Sequence, residues 1–265
     1  MNISKIIFLS LLVTVSSSVI GMEPDPEGNK QIVKNAQSLK FIILNRLAKK
    51  QIKYDPSLLP VELHEYLAQL DSLIKKHKKS HPNENLEDNP TQALFTATED
   101  IIPEIVRDLV SMGANINAYN NSLGFINGTP LHFAVWRANV PLIRALVENG
   151  ALVNSRTSDS RKLTPLHLLV TITPYEYVFC EKVIRFLLEN NADINAVADT
   201  VQNTPLNDAV RYKNIYAVRL LLQKNADHTI ANTFGETPLQ QAEALGFEPI
   251  VELLKEHQAK QQSSK

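Results

Sequence analysis

Three kinds of hydrophobic patterning divide the chain. Near the N-terminus Ile6 to Val15 form an apolar run behind Lys5 and ahead of Ser16, Ser17 and Ser18. Between residues 31 and 79 the apolar positions return at helical spacing. Ile32, Leu39, Ile42, Ile43 and Leu47 predict a first amphipathic helix over about 30–50, and Leu63, Leu67, Leu70 and Ile74 predict a second over about 61–78. Tyr54-Asp55-Pro56 and Leu59-Pro60 bracket the turn between them, with Pro60 favourable at a helix start. Beyond residue 90 the stripes are shorter, such as Leu142, Ile143, Leu146 and Val147, or Val183, Ile184, Phe186 and Leu187. The whole pattern predicts an all-α chain.

The short stripes belong to a repeat. Thr129-Pro130-Leu131-His132 recurs as Thr164-Pro165-Leu166-His167, Thr204-Pro205-Leu206-Asn207 and Thr237-Pro238-Leu239-Gln240, at steps of 35, 40 and 33 residues. A second marker trails each copy: Asn149 to Asn154, Asn190 to Asn195 and Lys224 to Thr229. From Thr129 to Asn154 is 25 positions, as is Thr204 to Thr229. Counting back the same distance from Asn117 reaches Gln92, so Gln92-Ala93-Leu94-Phe95 is read as a degenerate first copy and five units run from about Pro90 to His257. Each Thr suits an N-cap, and each Pro suits the first helical turn, where a missing N–H is harmless. The stripe that follows predicts a second, antiparallel helix. Gly150 ends it as a residue tolerant of positive φ, and Asn191 and Asn225 stand in the same place.

Two markers in one frame, with a period near 33 and the tetrapeptide Thr-Pro-Leu-His, resemble the ankyrin repeat family. That resemblance implies an ankyrin-repeat solenoid of helix-turn-helix units with short β-finger loops, stacked because no unit buries its apolar faces alone. It also implies that His132 and His167 bridge backbone groups of neighbouring units. The first unit lacks Thr-Pro and the last lacks a closing Gly-Ala-Asp stretch, so both read as caps. In the third unit Thr164 to Asn195 spans 31 positions, an insertion of six near Thr173 to Phe179 that lengthens a turn or a helix.

Domain organisation follows: a signal peptide over 1–21, a linker over 22–30, a basic helical hairpin over 31–80, a linker over 81–90, the repeats over 91–258 and a polar tail over 259–265. The apolar run is shorter than the ~20 residues a membrane-spanning helix needs. Val19 and Gly21 offer small residues before a cut at Met22, so export to a periplasm or the secretory route, with cleavage and no membrane span afterwards, is expected.

Charge and composition narrow the chemistry. Among 265 residues, 27 Lys and Arg meet 28 Asp and Glu, giving a formal charge of −1, so the balance favours no nucleic acid. The single Cys180 forms no internal disulfide. Nucleophile elbow, phosphate loop and H-E-x-x-H are all missing from the sequence, and His77 and His81, four apart, are followed by Pro82 with no third ligand nearby. The expectation is a monomer without catalysis, metal or cofactor.

The hairpin adds a local basic excess, 10 Lys and Arg against 4 Asp and Glu over 31–79. Ser38-Leu39-Lys40-Phe41-Ile42-Ile43, with Leu59-Pro60-Val61-Glu62-Leu63-His64-Glu65-Tyr66-Leu67, is similar to the SOCS box of suppressors of cytokine signalling, and Leu59 to Leu63 also to an F-box opening. Ile43 stands where that box carries Cys. Two readings stay open: a hairpin that caps the array, or an adaptor that recruits a ubiquitin-ligase component while the repeats hold a client.

The expected function is protein binding through a concave surface. By resemblance, that surface comprises the fingers before each Thr-Pro and the inner-helix positions seven and eight after each Thr. The partner-binding candidates are Trp136 and Arg137, Arg211 and Tyr212, the finger residues Tyr119, Phe125, Arg156 and Arg161, and Tyr175 and Tyr177 of the insertion. Trp, Tyr and Arg are enriched at binding hot spots. Trp136 carries a second reading, packing beneath the long first finger on Phe125.

Overall fold

A computed structural model describes residues 89–99, 103–120, 127–171, 177–198 and 200–263, with short helical pieces between 68 and 79. The expected signal peptide, the expected first hairpin helix and the SOCS-box-like segment lie outside the described residues. Of the second hairpin helix, residues 72–76 are helical, with Leu73 and Ile74 buried.

The chain divides into two compact units, 1–115 and 116–265. In the first, α1 (Pro90–Glu99) packs against α2 (Pro103–Ser111). Helix α1 begins at Pro90, where the array was expected to start, two residues before the degenerate tetrapeptide at Gln92. Asn89 caps it, accepting from the Gln92 N–H at 3.1 Å through its side chain, and Pro90 supplies the first turn.

The second unit holds four helix pairs: α3 (Pro130–Trp136) with α4 (Val140–Glu148), α5 (Pro165–Thr171) with α6 (Tyr177–Glu189), α7 (Pro205–Arg211) with α8 (Ile215–Gln223), and α9 (Pro238–Ala244) with α10 (Glu248–Ser263). The inner helices α3, α5, α7 and α9 pack in sequence, and the outer helix α8 packs on both α6 and α10. Every residue of α3 from Pro130 to Val135 is buried, because this helix has neighbours on all sides, whereas α4 buries only Leu142, Ile143 and Leu146 and leaves the rest to solvent. This is the stacked solenoid expected, and the helical phase of the outer stripes is as the spacing predicts.

The markers work through their side chains. Thr164, Thr204 and Thr237 each accept at Oγ1 from the N–H three residues on, at 3.3–3.4 Å, and Thr129 occupies the same extended N-cap geometry. Residue four of the tetrapeptide returns the bond: the Thr129 N–H donates to His132 Nδ1 at 3.2 Å, and the Thr237 N–H to Gln240 Oε1 at 2.9 Å. Gly150, Asn191 and Asn225 adopt φ of 98°, 64° and 62°, the left-handed turn that closes an outer helix. The asparagines of the second marker form a ladder between units. Asn117, Asn154 and Asn195 accept through Oδ1 from the N–H groups of Leu152, Asp193 and Asp227 at 2.8–2.9 Å.

The six-residue insertion is shared between two places. Helix α6 has 13 residues where α4 and α8 have 9, and five residues rather than three separate it from its inner partner. At the C-terminus the residues read as a polar tail continue α10 to Ser263, since Gln, Ala and Lys favour helix and Glu256 and Lys260 pair four apart at 3.8 Å. Among the described residues no helix is long and apolar enough to cross a membrane.

Candidate functional site

Each inner helix is only seven residues long, so a Thr-Pro start fixes where it ends, and its last residue and the one after emerge beside the finger loop. That geometry brings Trp136, Arg137, Arg211, Tyr212, Ala244 and Leu245 to one side, with the fingers next to them. Antiparallel backbone bonds shape the fingers: Asn120 pairs with Gly128, and the N–H groups of Thr157, Ala198 and Asn232 donate to the carbonyls of Leu163, Asn203 and Glu236 at 2.8–3.0 Å. The fingers are also joined to one another. Ser158 N–H reaches the Asn127 carbonyl at 2.7 Å, and Thr233 N–H the Val201 carbonyl at 2.9 Å.

The candidates meet different fates. Tyr212 and Tyr119 stand out, 44% and 51% exposed, and Arg211 is exposed at the end of α7. Trp136 sits between its two readings: 36% exposed, it leans on Phe133 with ring centroids 5.6 Å apart, and the Arg137 guanidinium lies 5.0 Å over it. Its ring therefore both supports α3 and faces outward. Arg156 is a strap between fingers, donating from Nη1 to the Val197 carbonyl at 2.6 Å and the Lys162 carbonyl at 3.3 Å. Arg161 pairs with Asp159 at 2.6 Å within its own finger. Phe125 and Tyr175 lie outside the described residues, and of Tyr177, the first residue of α6, only the backbone is described.

One exposed group was missing from the sequence reading, and another stands where the rule of seven and eight after each Thr places it. Phe234, three residues before Thr237, is 74% exposed at the last finger, and Leu245 is exposed just beyond α9. The finger rule that selected Phe125 would have reached Phe234 had it been carried to the final unit.

Buried titratable groups lie under this face. His132 and His167 each accept at Nδ1 from their Thr, so Nε2–H donates to the next unit, to the Leu163 carbonyl and the Asn203 carbonyl respectively, both at 3.0 Å. Desolvation holds both imidazoles down at about 4, so they are neutral at pH 7. These are the inter-unit bridges that the family resemblance implies. In the fourth unit Asn207 replaces the histidine; its Oδ1 accepts from the Thr204 N–H at 3.1 Å, while its buried Nδ2 has no protein partner. Asp208, one residue on, is pushed up to about 6 by burial, against a hydrogen bond from Asn203 Nδ2 at 2.7 Å and the nearby Arg211.

A family model for ankyrin repeats matches three overlapping stretches, residues 94–198, 154–232 and 176–265. The chain belongs to the ankyrin-repeat family. Among characterised proteins it is similar to mouse palmitoyltransferase ZDHHC13, 29% identical over 52% of this chain and 26% of that protein. It is 28% identical to the mouse B-cell lymphoma 3 protein homolog over 64% of this chain and 36% of that one. A putative ankyrin repeat protein of Rickettsia bellii is 33% identical over 47% of this chain and 65% of its own length. The matched part is about a quarter of the palmitoyltransferase, and it is the ankyrin region alone that aligns.

Proposed function

We propose that this chain is a non-enzymatic protein-binding module that holds its partner across the ankyrin face, made of finger loops and inner-helix ends. The observation that carries this reading is the row of exposed large side chains there, Tyr119, Trp136, Tyr212, Phe234 and Leu245, interspersed with Arg137 and Arg211. A scattered exposed apolar residue is ordinary, but a one-sided row of aromatic and Arg groups on a rigid scaffold is the composition of a binding surface. Tyr212→Ala with Phe234→Ala is the suitable test, because both rings are largely outside the core. The pair should leave the melting midpoint unchanged and weaken capture of the native partner by 2 kcal/mol or more, as expected of hot-spot residues. Undiminished capture would move the binding surface away from this face.

The apolar run ahead of Met22 supports a further part of the proposal, that the module works outside the cytosol after its leader is removed. N-terminal sequencing of protein from its native cell should begin at or near Met22, and an intact Met1 on cytosolic protein would refute it.

A further inference from the structure

Two cavities open side by side on the ankyrin face, in consecutive grooves between inner helices. The first, about 80 Å³, lies between α5 and α7 and is lined by Thr171, Asn203, Asp208, Arg161, Arg211 and Tyr212. The second, about 270 Å³, lies between α7 and α9, walled by Val201, Phe234, Ala244 and Leu245, with Gln241, Arg211, Asn232 and Glu236 supplying its polar groups. Arg211 lines both. Each cavity is also lined by a residue whose buried acceptor has no donor in the protein: Asn203 Oδ1, on a residue 2% exposed, and Gln241 Oε1, on a residue 7% exposed. Buried acceptors in folded proteins are nearly always paired, so two orphans beside cavities on a recognition face mark places that a partner completes.

The chemistry of that partner follows from the groups present. An ammonium entering the smaller cavity would meet Arg211 and Arg161, charges of its own sign. A carboxylate could accept from Arg211, but it would bring its charge against the Asp208 carboxyl and offer no N–H to Asn203 Oδ1. A primary carboxamide answers every group. Its two N–H bonds serve Asn203 Oδ1 and Asp208, and its oxygen accepts from the Arg211 guanidinium. The larger cavity, mostly apolar, suits an aliphatic or aromatic side chain whose backbone N–H can reach Gln241 Oε1. Neighbouring helices pack 8–10 Å apart, about three residues of extended chain at ~3.3 Å each.

The geometry points to an extended partner segment that places an Asn or Gln side chain between α5 and α7 and, about three residues away, an apolar side chain between α7 and α9. This rests on the protein-binding reading above and names what that surface selects.

Selection of phage-displayed random dodecapeptides on the full chain tests it. Enriched sequences should pair Asn or Gln with Leu, Ile, Val, Met or Phe at a separation of two to four residues. A synthetic peptide from that pool should lose tenfold or more in affinity when its Gln is changed to Glu, a comparison that needs no altered protein. Arg211→Met and Leu245→Asp, both at exposed positions, should each cost the peptide a similar factor with melting unchanged. Enrichment of peptides bearing a carboxylate or an ammonium in place of the amide overturns the inference and leaves the ankyrin face as the binding surface. Peptides indifferent to both protein variants overturn the inference and the face together, and a selection that enriches nothing overturns the inference.

Discussion

Asn207→His should make the protein more stable, although it places a larger side chain in a closed position. His132 and His167 each tie their unit to the next through Nε2–H, donating at 3.0 Å to the carbonyl of the residue before the following Thr. The corresponding carbonyl for position 207 is that of Glu236, which accepts one finger N–H from Asn232 at 3.0 Å, just as the Leu163 carbonyl accepts from Thr157. The position for a second bond is thus present and unused, while Asn207 Nδ2 is buried without a protein partner. Supplying the bond contributes about 1 kcal/mol net, and removing an unpaired buried donor relieves about 1–3 kcal/mol more. Accommodating the ring opposes this by about 1–3 kcal/mol if the surroundings must shift. The net expectation is a gain of about 1 kcal/mol, or about 2–4 °C in melting temperature for a protein of this size. Urea denaturation followed by circular dichroism at pH 7.5 measures it, with His167→Asn as the mirror experiment, expected to cost at least about 1 kcal/mol. A new imidazole held down like its two counterparts should also lose its benefit below about pH 5. If Asn207→His is neutral or destabilising while His167→Asn costs nothing, the imidazole bridge is not what joins one unit to the next.

Leu146→Ala, at a fully buried position of α4, should cost about 2–5 kcal/mol in the same assay, and a cost under half a kcal/mol would mean that the stripe does not pack. Acid should weaken the fold in a defined window. His132 and His167 titrate at about 4 when folded and near 6.5 when unfolded, so the unfolded chain takes up protons first and stability falls from pH 6.5 to pH 4, by up to about 3 kcal/mol for each. Asp208 runs the other way: raised to about 6, it is protonated first in the folded protein and returns stability as pH drops from 6 to 3.8. Asp208→Asn should therefore be more stable than the parent at pH 7, by about 1–3 kcal/mol, yet decline more steeply on acidification; parallel pH–stability curves would contradict the assignment.

Much of the array could be read from the sequence because its signals are local. A Thr cap, a Pro in the first turn and a positive-φ residue after the outer helix act within a few residues of themselves, and the structure has all three where the tetrapeptides and the Asn-Gly or Asn-Asn pairs place them. At the start of α1, which begins at Pro90 as the array was expected to, two local signals compete. The repeat frame led to Gln92, whereas Asn89-Pro90 carries the same cap-then-proline chemistry one turn earlier. Helix α10 runs past its expected end because Gln and Lys are polar without being helix breakers. The candidate site was less legible. Position alone put Arg156 and Arg161 on the recognition surface, yet one is committed to the Val197 carbonyl and the other to Asp159. Unpaired acceptors such as Asn203 Oδ1 and Gln241 Oε1 leave no trace in composition or period, since they arise only when separate units meet.

The division of the six extra residues in the third unit has a meaning for how this molecule tolerates change. Four lengthen α6 and two lengthen the connection leading to it, while α5 keeps the same seven residues as α3, α7 and α9. The four added helical residues thus lie in the outer row, and the inner helices keep one length. Length can vary in the outer row without altering the length of the inner helices whose ends form the ankyrin face. Variants with insertions or deletions between Thr171 and Glu181 should therefore pass selection for binding far more often than equal changes between Thr204 and Arg211, where one residue would put two neighbouring grooves out of step.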